Sequence, residues 1–194
     1  MILYILYFFI SPILWIILLI VSLFNKKINT RWNDYKKLLN KSLNKIKSTN
    51  KKVLLLHAAS NGELEQMKPI IRSINKKKYF IMLTTSSPSS INHMPIDEID
   101  SYCYQAFDFP WTVNNFFKKI KPENYIITRH DIWPNHIVIS KKYSTNIYLI
   151  NANLPHSSKR LLPLVRYIYK YLFKKFNIIY TVSQKMKNKL SKLI

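Results

Sequence analysis

Residues 53–75 read VLLLHAASNGELEQMKPIIRSIN. Val53 to His57 form an unbroken apolar run that closes on an imidazole. A polar loop follows, and from Glu63 the apolar side chains recur at helical spacing, at Leu64, Met67, Ile70, Ile71 and Ile74. A short strand without polar alternation is buried on both faces, which is the habit of strands in a parallel sheet. Strand, tight polar loop and amphipathic helix together make the first half of a βαβ unit.

The same alternation continues outward. Strands are expected at 79–84, 102–107, 125–128, 146–151 and 178–182. Helices are expected from Pro110 to Lys119 and from Pro134 to about Lys142, each opened by a proline suited to a first helical turn. A basic and aromatic helix is expected over 159–176, and another from Gln184 onward. No internal repeat interrupts the series. The pattern predicts an α/β fold, a Rossmann-like parallel sheet with helices on both faces. In such sheets the ligand crevice lies beyond the carboxyl ends of the strands. The loops to examine therefore follow His57, Thr84, Phe107, Thr128, Ile150 and Val182.

Upstream, residues 1–24 contain no charged side chain, enough for a membrane anchor at about 1.5 Å per residue across about 30 Å of hydrocarbon. No basic stretch precedes the run and no small-residue cleavage site follows it, so it reads as uncleaved. Lys26, Lys27 and Arg31 come directly after it, which places the globular part on the cytoplasmic side of an inner membrane. A helix lying in one leaflet is the competing geometry. Residues 25–52 are expected to form a basic juxtamembrane helix and linker facing anionic headgroups, and 53–194 the Rossmann-like domain.

Composition narrows the function classes. The 194 residues carry 31 Lys and Arg against 9 Asp and Glu, a formal charge of +22. Such a field attracts phosphates on nucleic acid or on lipids alike. No recognition-helix or aromatic RNA-binding signature accompanies it, so nucleic acid is not an expected partner. The 1 glycine leaves most tight turns to Asn, Ser, Asp and Pro. Cys103, in an apolar stretch, reads as a buried core thiol. The histidines at 57, 93, 130, 136 and 156 show no metal-ligand spacing, and no metal is expected.

The unusual polar residues collect in the expected crevice loops. Glu63 at the start of a helix could take a proton from a hydroxyl bound above it. Gly62 would let the backbone turn sharply there and leave room for a ligand. Ser60-x-x-Glu63 is also the pattern of a capping box, in which the carboxylate only satisfies a backbone N–H. Thr84, Thr85, Ser86 and Ser87 offer hydroxyls to a polar ligand, or form an ordinary loop. Asp131 reads as a helix cap, His57 as a satisfied core histidine, and Trp133 as a packing residue.

Read in register, these loops resemble the N-terminal domain of the Kdo (3-deoxy-D-manno-octulosonic acid) transferases. The resemblance runs through the hydrophobic N-terminus and the Arg31-Trp32 pair. It continues in His57-Ala-Ala-Ser60-Asn-Gly62-Glu63, similar to H-A-x-S-x-G-E, and in Thr84-Thr85-Ser86-Ser87-Pro88. Phe109-Pro110-Trp111, Ile132-Trp133-Pro134-Asn135 and Asn151-Ala152-Asn153-Leu154 complete it. It implies the acceptor-binding half of a GT-B glycosyltransferase that moves Kdo from CMP-Kdo to a lipid A precursor without a cofactor. By the resemblance Glu63 is the general base. The crevice loops then offer Ser60, Asn61, Gly62, Thr84, Thr85, Ser86, Ser87, Arg129, His130 and Asp131 to the acceptor. Implied partners are inner-membrane lipids, a phosphorylated glycolipid, and a separate or missing nucleotide-binding half. A non-catalytic membrane-bound glycolipid-binding module, or a truncated inactive remnant, is the alternative.

Departures from the pattern are also visible. Arg129 stands where the family has a carboxylate, and Asn153 where it has an arginine. No glycine-rich nucleotide loop occurs before Ile194, so the donor half is expected to be absent from this chain.

Overall fold

The computed structural model describes residues 2–129, 131–154 and 162–192. Elements alternate along the chain as α1 (Ile2–Phe24), α2 (Lys26–Lys47), β1 (Lys52–His57), α3 (Asn61–Ser73), β2 (Tyr79–Thr85), α4 (Pro88–Ile91) and β3 (Ser101–Tyr104). They continue as α5 (Pro110–Ile120), β4 (Asn124–Thr128), α6 (Pro134–Lys142), β5 (Asn146–Ala152), α7 (Pro163–Phe173), β6 (Ile178–Thr181) and α8 (Gln184–Ser191).

The six strands form one sheet in the order β3-β2-β1-β4-β5-β6. Every pairing is parallel. The order runs backwards from β1 to β3 and forwards from β4 to β6, so it reverses between β1 and β4. That reversal splays the connecting loops apart and opens a crevice at the strand ends.

Successive strand residues serve opposite faces. On one face Leu54, Leu56, Ile81 and Leu83 meet Leu64, Met67 and Ile71 of α3. On the other, Val53, Leu55, Met82, Tyr125 and Ile127 pack with Phe116 and Phe117 of α5, Ile137 of α6 and Leu172 of α7. This two-sided burial is why β1 lacks alternation. Leu39 of α2 also enters this second cluster. Ser42 of α2 donates to the carbonyl of Tyr102, so α2 lies over β3 at the sheet edge. Cys103 is wholly buried, as expected.

Several local expectations need correction. β3 ends at Tyr104 and not at 107. The loop after β2 contains the short helix α4. The basic-aromatic helix begins at Pro163, and its expected start at 159 lies outside the described residues. Left-handed turn positions fall on Lys121, Arg129, Ser144 and Asn151, so two long basic side chains share a task expected of Asn and Ser. Each costs about 1 kcal/mol or more in that conformation.

Candidate active site at the strand-order reversal

The loops after β1 and β4 flank the reversal, and their side chains interlock beneath it. His57, the last residue of β1, is fully buried. Its Nε2 lies 2.7 Å from Oδ2 of Asp131 and its Nδ1 lies 3.0 Å from the hydroxyl of Thr84. The Thr84 hydroxyl also lies 3.0 Å from the carbonyl of Leu56, to which it donates. His57 thus bridges Thr84 and Asp131 at the floor of the crevice.

Asp131 feels opposing influences. Burial alone would raise it, but hydrogen bonds and charge from His57, with help from Trp133 and Ser86, hold its carboxyl down to about 2. Its expected role as helix cap is not what the structure shows, because its carboxylate faces His57 and Ser86 instead. The residue that caps α6 is Asp108. Its Oδ2 accepts from the N–H of Asn135 and its Oδ1 from the N–H of His136. Trp133, expected to pack, remains 42% exposed on this loop.

Glu63 sits at the tip of α3. Ser60 caps the helix, its hydroxyl accepting from Glu63 N–H. The Glu63 Oε2 accepts from Ala59 N–H at 2.8 Å, one residue earlier than the capping-box pattern predicts. Its Oε1 has no hydrogen-bond partner among the described residues. Burial raises the Glu63 carboxyl; the Ala59 hydrogen bond opposes this, Asp131 adds to it, and His57 and Arg129 oppose it. The net shift is upward, toward the range useful for a base near neutral pH. Gly62 does not make a sharp turn, since it has no positive φ and lies within α3. Nothing lies within 4 Å of where its Cβ would stand, so the space before Glu63 is open.

The β2 loop divides in two. Thr84 and Thr85 are buried, with Thr84 bound to His57 and Leu56 and Thr85 accepting from Ser87 N–H. Ser86 and Ser87 are half-exposed. With Lys27, Arg31, Ala59 and Phe107 they line a cavity of about 280 Å³. Arg129 occupies its left-handed position with its N–H bonded to Ile150 O. Ser60 is exposed and Asn61 partly so. His130 lies outside the described residues.

Arg31 belongs to this site in a way that motif reading missed. Its Nη2 donates to Gln105 O at 2.7 Å and its Nη1 to Ser86 O at 3.5 Å. Its guanidinium stacks 4.1 Å from the Phe107 ring centre. Burial lowers it to about 10 despite the nearby Asp131. Arg31 thus ties α2 to the loops after β2 and β3. The Arg31-Trp32 pair was its only sequence signal.

An all-parallel sheet of six strands whose order reverses once is a Rossmann-like domain, a class of sheet whose ligand crevice lies at the strand ends. The family model described as 3-Deoxy-D-manno-octulosonic-acid transferase (kdotransferase) matches residues 26–194, and the chain belongs to that family. It is similar to a probable mitochondrial 3-deoxy-D-manno-octulosonic acid transferase of Arabidopsis thaliana, 29% identical over 143 residues, which cover 68% of this chain and 31% of the relative. It is also similar to the 3-deoxy-D-manno-octulosonic acid transferase of Aquifex aeolicus (strain VF5), 30% identical over 131 residues, 66% of this chain and 33% of the relative. The chain therefore spans about a third of the length of these curated relatives.

Proposed function

We propose that this chain supplies the acceptor-binding half of a glycosyltransferase that moves Kdo from CMP-Kdo to a lipid A precursor. The observation that carries the reading is the Glu63 carboxylate. One oxygen is held by Ala59 N–H, the other is unpartnered among the described residues, and the pKa is raised at the reversal of strand order.

In the proposed step an acceptor hydroxyl lies against Glu63 Oε1. Its oxygen attacks the anomeric carbon of the donor, and a new C–O bond forms as the bond to the CMP phosphate breaks. CMP leaves with the bonding electron pair, the hydroxyl proton passes to Glu63, and the anomeric centre inverts. Ser60, Asn61, Ser86, Ser87 and Arg129 are the proposed acceptor contacts, with His130 as an expected member. Thr84, Thr85 and Asp131 set the positions of Ser86 and His57. The donor is held by a second, nucleotide-binding unit that closes over the crevice, because positioning both reactants supplies much of the rate.

Anionic groups of the acceptor suit the cavity that Lys27 and Arg31 line with Ser86 and Ser87. The apolar helix α1 leads into α2 beside this cavity, which fits presentation of a lipid acceptor from a membrane, proposed to be the inner membrane with the domain on its cytoplasmic side. The test is transfer of labelled Kdo from CMP-Kdo to a lipid A precursor in membranes holding this chain and a Kdo transferase nucleotide-binding half. Transfer that Glu63→Gln abolishes is the expected result. Transfer that survives the substitution, or none with either chain, removes the reading.

A further inference from the structure

Helix α1 is long and apolar enough to cross a membrane by length and composition. Its contacts bear on whether it does. Tyr4, near its start, donates to Asn135 Oδ1 at 2.9 Å. The Tyr7 hydroxyl lies 2.9 Å from Asp108 Oδ2 and 3.0 Å from Asp108 O. One turn on, Ser11 is fully buried. Trp15 then packs on three aromatic rings of the domain, with centroids 4.9 Å from Trp32, 4.8 Å from Phe109 and 5.6 Å from Trp111. The far end is fixed too, because Asn25 caps α2 and α2 lies on the sheet edge.

Tyr4 to Trp15 is about 16 Å of helix at 1.5 Å per residue, with one face along that length held against the domain. Only residues 16–24 remain, about 13 Å, where a bilayer core demands about 30 Å. Docked in this way, α1 cannot cross. The opposite side of the helix is a continuous apolar surface, with Phe9 72%, Ile13 61%, Ile16 58%, Leu23 74% and Phe24 86% exposed.

Positive charge stands at both ends of that surface. Exposed Lys26 and Lys27 follow its carboxyl end. At the other end Tyr4 meets Tyr171 of α7 with ring centroids 6.2 Å apart. That helix presents Arg166 and Lys170 beside Tyr167, which is 70% exposed. An apolar stripe flanked by cations and aromatic rings complements the headgroup and upper acyl zone of an anionic lipid layer.

We propose that α1 lies in the plane of one leaflet of an anionic bilayer, docked on the domain through Tyr4, Tyr7 and Trp15, and does not span it. This places the cavity bordered by Lys27 and Arg31 at headgroup level. It is independent of the sugar-transfer reading.

The test uses full-length chain in vesicles of both orientations. Cys103 is buried and leaves introduced thiols as the reporters. Lys27→Cys is expected to react with a membrane-impermeant maleimide only from the domain side. Leu3→Cys is expected to react from that same side, or to be shielded by lipid from both. In a Tyr4→Cys, Asn135→Cys double variant a short thiol–thiol cross-linker is expected to join the two positions within one chain. Labelling of Leu3→Cys from the opposite side overturns the proposal. So does failure of the cross-link, a cross-link between two chains, or recovery of the chain outside the vesicles.

Discussion

Nε2 of His57 lies 2.7 Å from Oδ2 of Asp131, joining the end of β1 to the loop after β4 across the reversal of strand order. The other ring nitrogen, Nδ1, lies 3.0 Å from the Thr84 hydroxyl, so one buried ring ties the loops after β1, β2 and β4 together. A buried imidazole and a depressed carboxylate form the floor of the crevice, and both act on Glu63. Asp131 pushes the Glu63 carboxyl up while His57 and Arg129 pull it down, so burial decides the outcome.

Asp131→Asn is expected to destabilise the domain by about 2 kcal/mol at neutral pH, from a carboxyl held well below its ordinary value. The native carboxyl is at about 2 against 3.8 ordinarily. A depressed carboxyl stabilises the folded chain above its unfolded value and loses that contribution as pH falls through the folded one. The difference between wild type and variant should therefore be full above about pH 4 and shrink toward pH 2. Thermal or denaturant unfolding across that range measures it, and an unchanged difference removes the depressed carboxyl as a source of stability.

Glu63→Gln separates the two readings of the capping pattern. The amide oxygen of Gln can still accept from Ala59 N–H, so unfolding should shift little. As a base, however, Gln is useless, and transfer should fall by a factor of about 100 or more. In the wild type the acid limb of kcat/KM should lie above the ordinary glutamate range, since the base must be ionised and its pKa is raised. An acid limb at ordinary glutamate values would remove Glu63 from the role.

Much of this domain was legible in the sequence because its strands are buried on both faces. Val53 to Leu56 could not alternate, since Leu54 and Leu55 face different helices. Prolines 110 and 134 marked two helix starts for a steric reason that survives folding. The interlock of the site was less visible. His57 and Asp131 are 74 residues apart, and Arg31 reaches Gln105 O across a separation of 74. Spacing rules see neighbours on one helix or strand, whereas these pairs exist only because the sheet order brings the loops together. Asp108 misled for the same reason. A cap is sought just before the helix it serves, but this one arrives from the β3–α5 connection.

Gly62→Ala tests whether the space before Glu63 is used. The position lies within α3, has no positive φ, and has nothing within 4 Å of an added Cβ. Folding should be unaffected or stabilised by up to about 1 kcal/mol, as glycine is poor in a helix. Acceptor binding should weaken if the sugar passes over this backbone. The pair of measurements is unfolding and KM for acceptor, and a raised KM with unchanged stability is expected.

Asp108 carries a heavier structural duty than any residue in the crevice. Its Oδ1 accepts from both the N–H and Nδ1 of His136, at 3.1 and 2.8 Å, and its Oδ2 from Asn135 N–H at 3.2 Å with Tyr7 hydroxyl 2.9 Å away. Burial lowers the pKa of His136 although Asp108 acts in the opposite direction, so the contact is a hydrogen bond to neutral imidazole. Asp108→Ala would leave the two amides of α6, the ring of His136 and the Tyr7 hydroxyl without this acceptor at once. The expected loss is about 3 kcal/mol, against about 1 kcal/mol for Tyr7→Phe, which removes a single donor. Both substitutions should also lower the intrachain cross-link between positions 4 and 135, because α1 is held at that point through Asp108. Unfolding in detergent micelles and cross-linking yield in vesicles check the two effects, and an undiminished cross-link in both variants would show that α1 docks through its aromatic contacts alone.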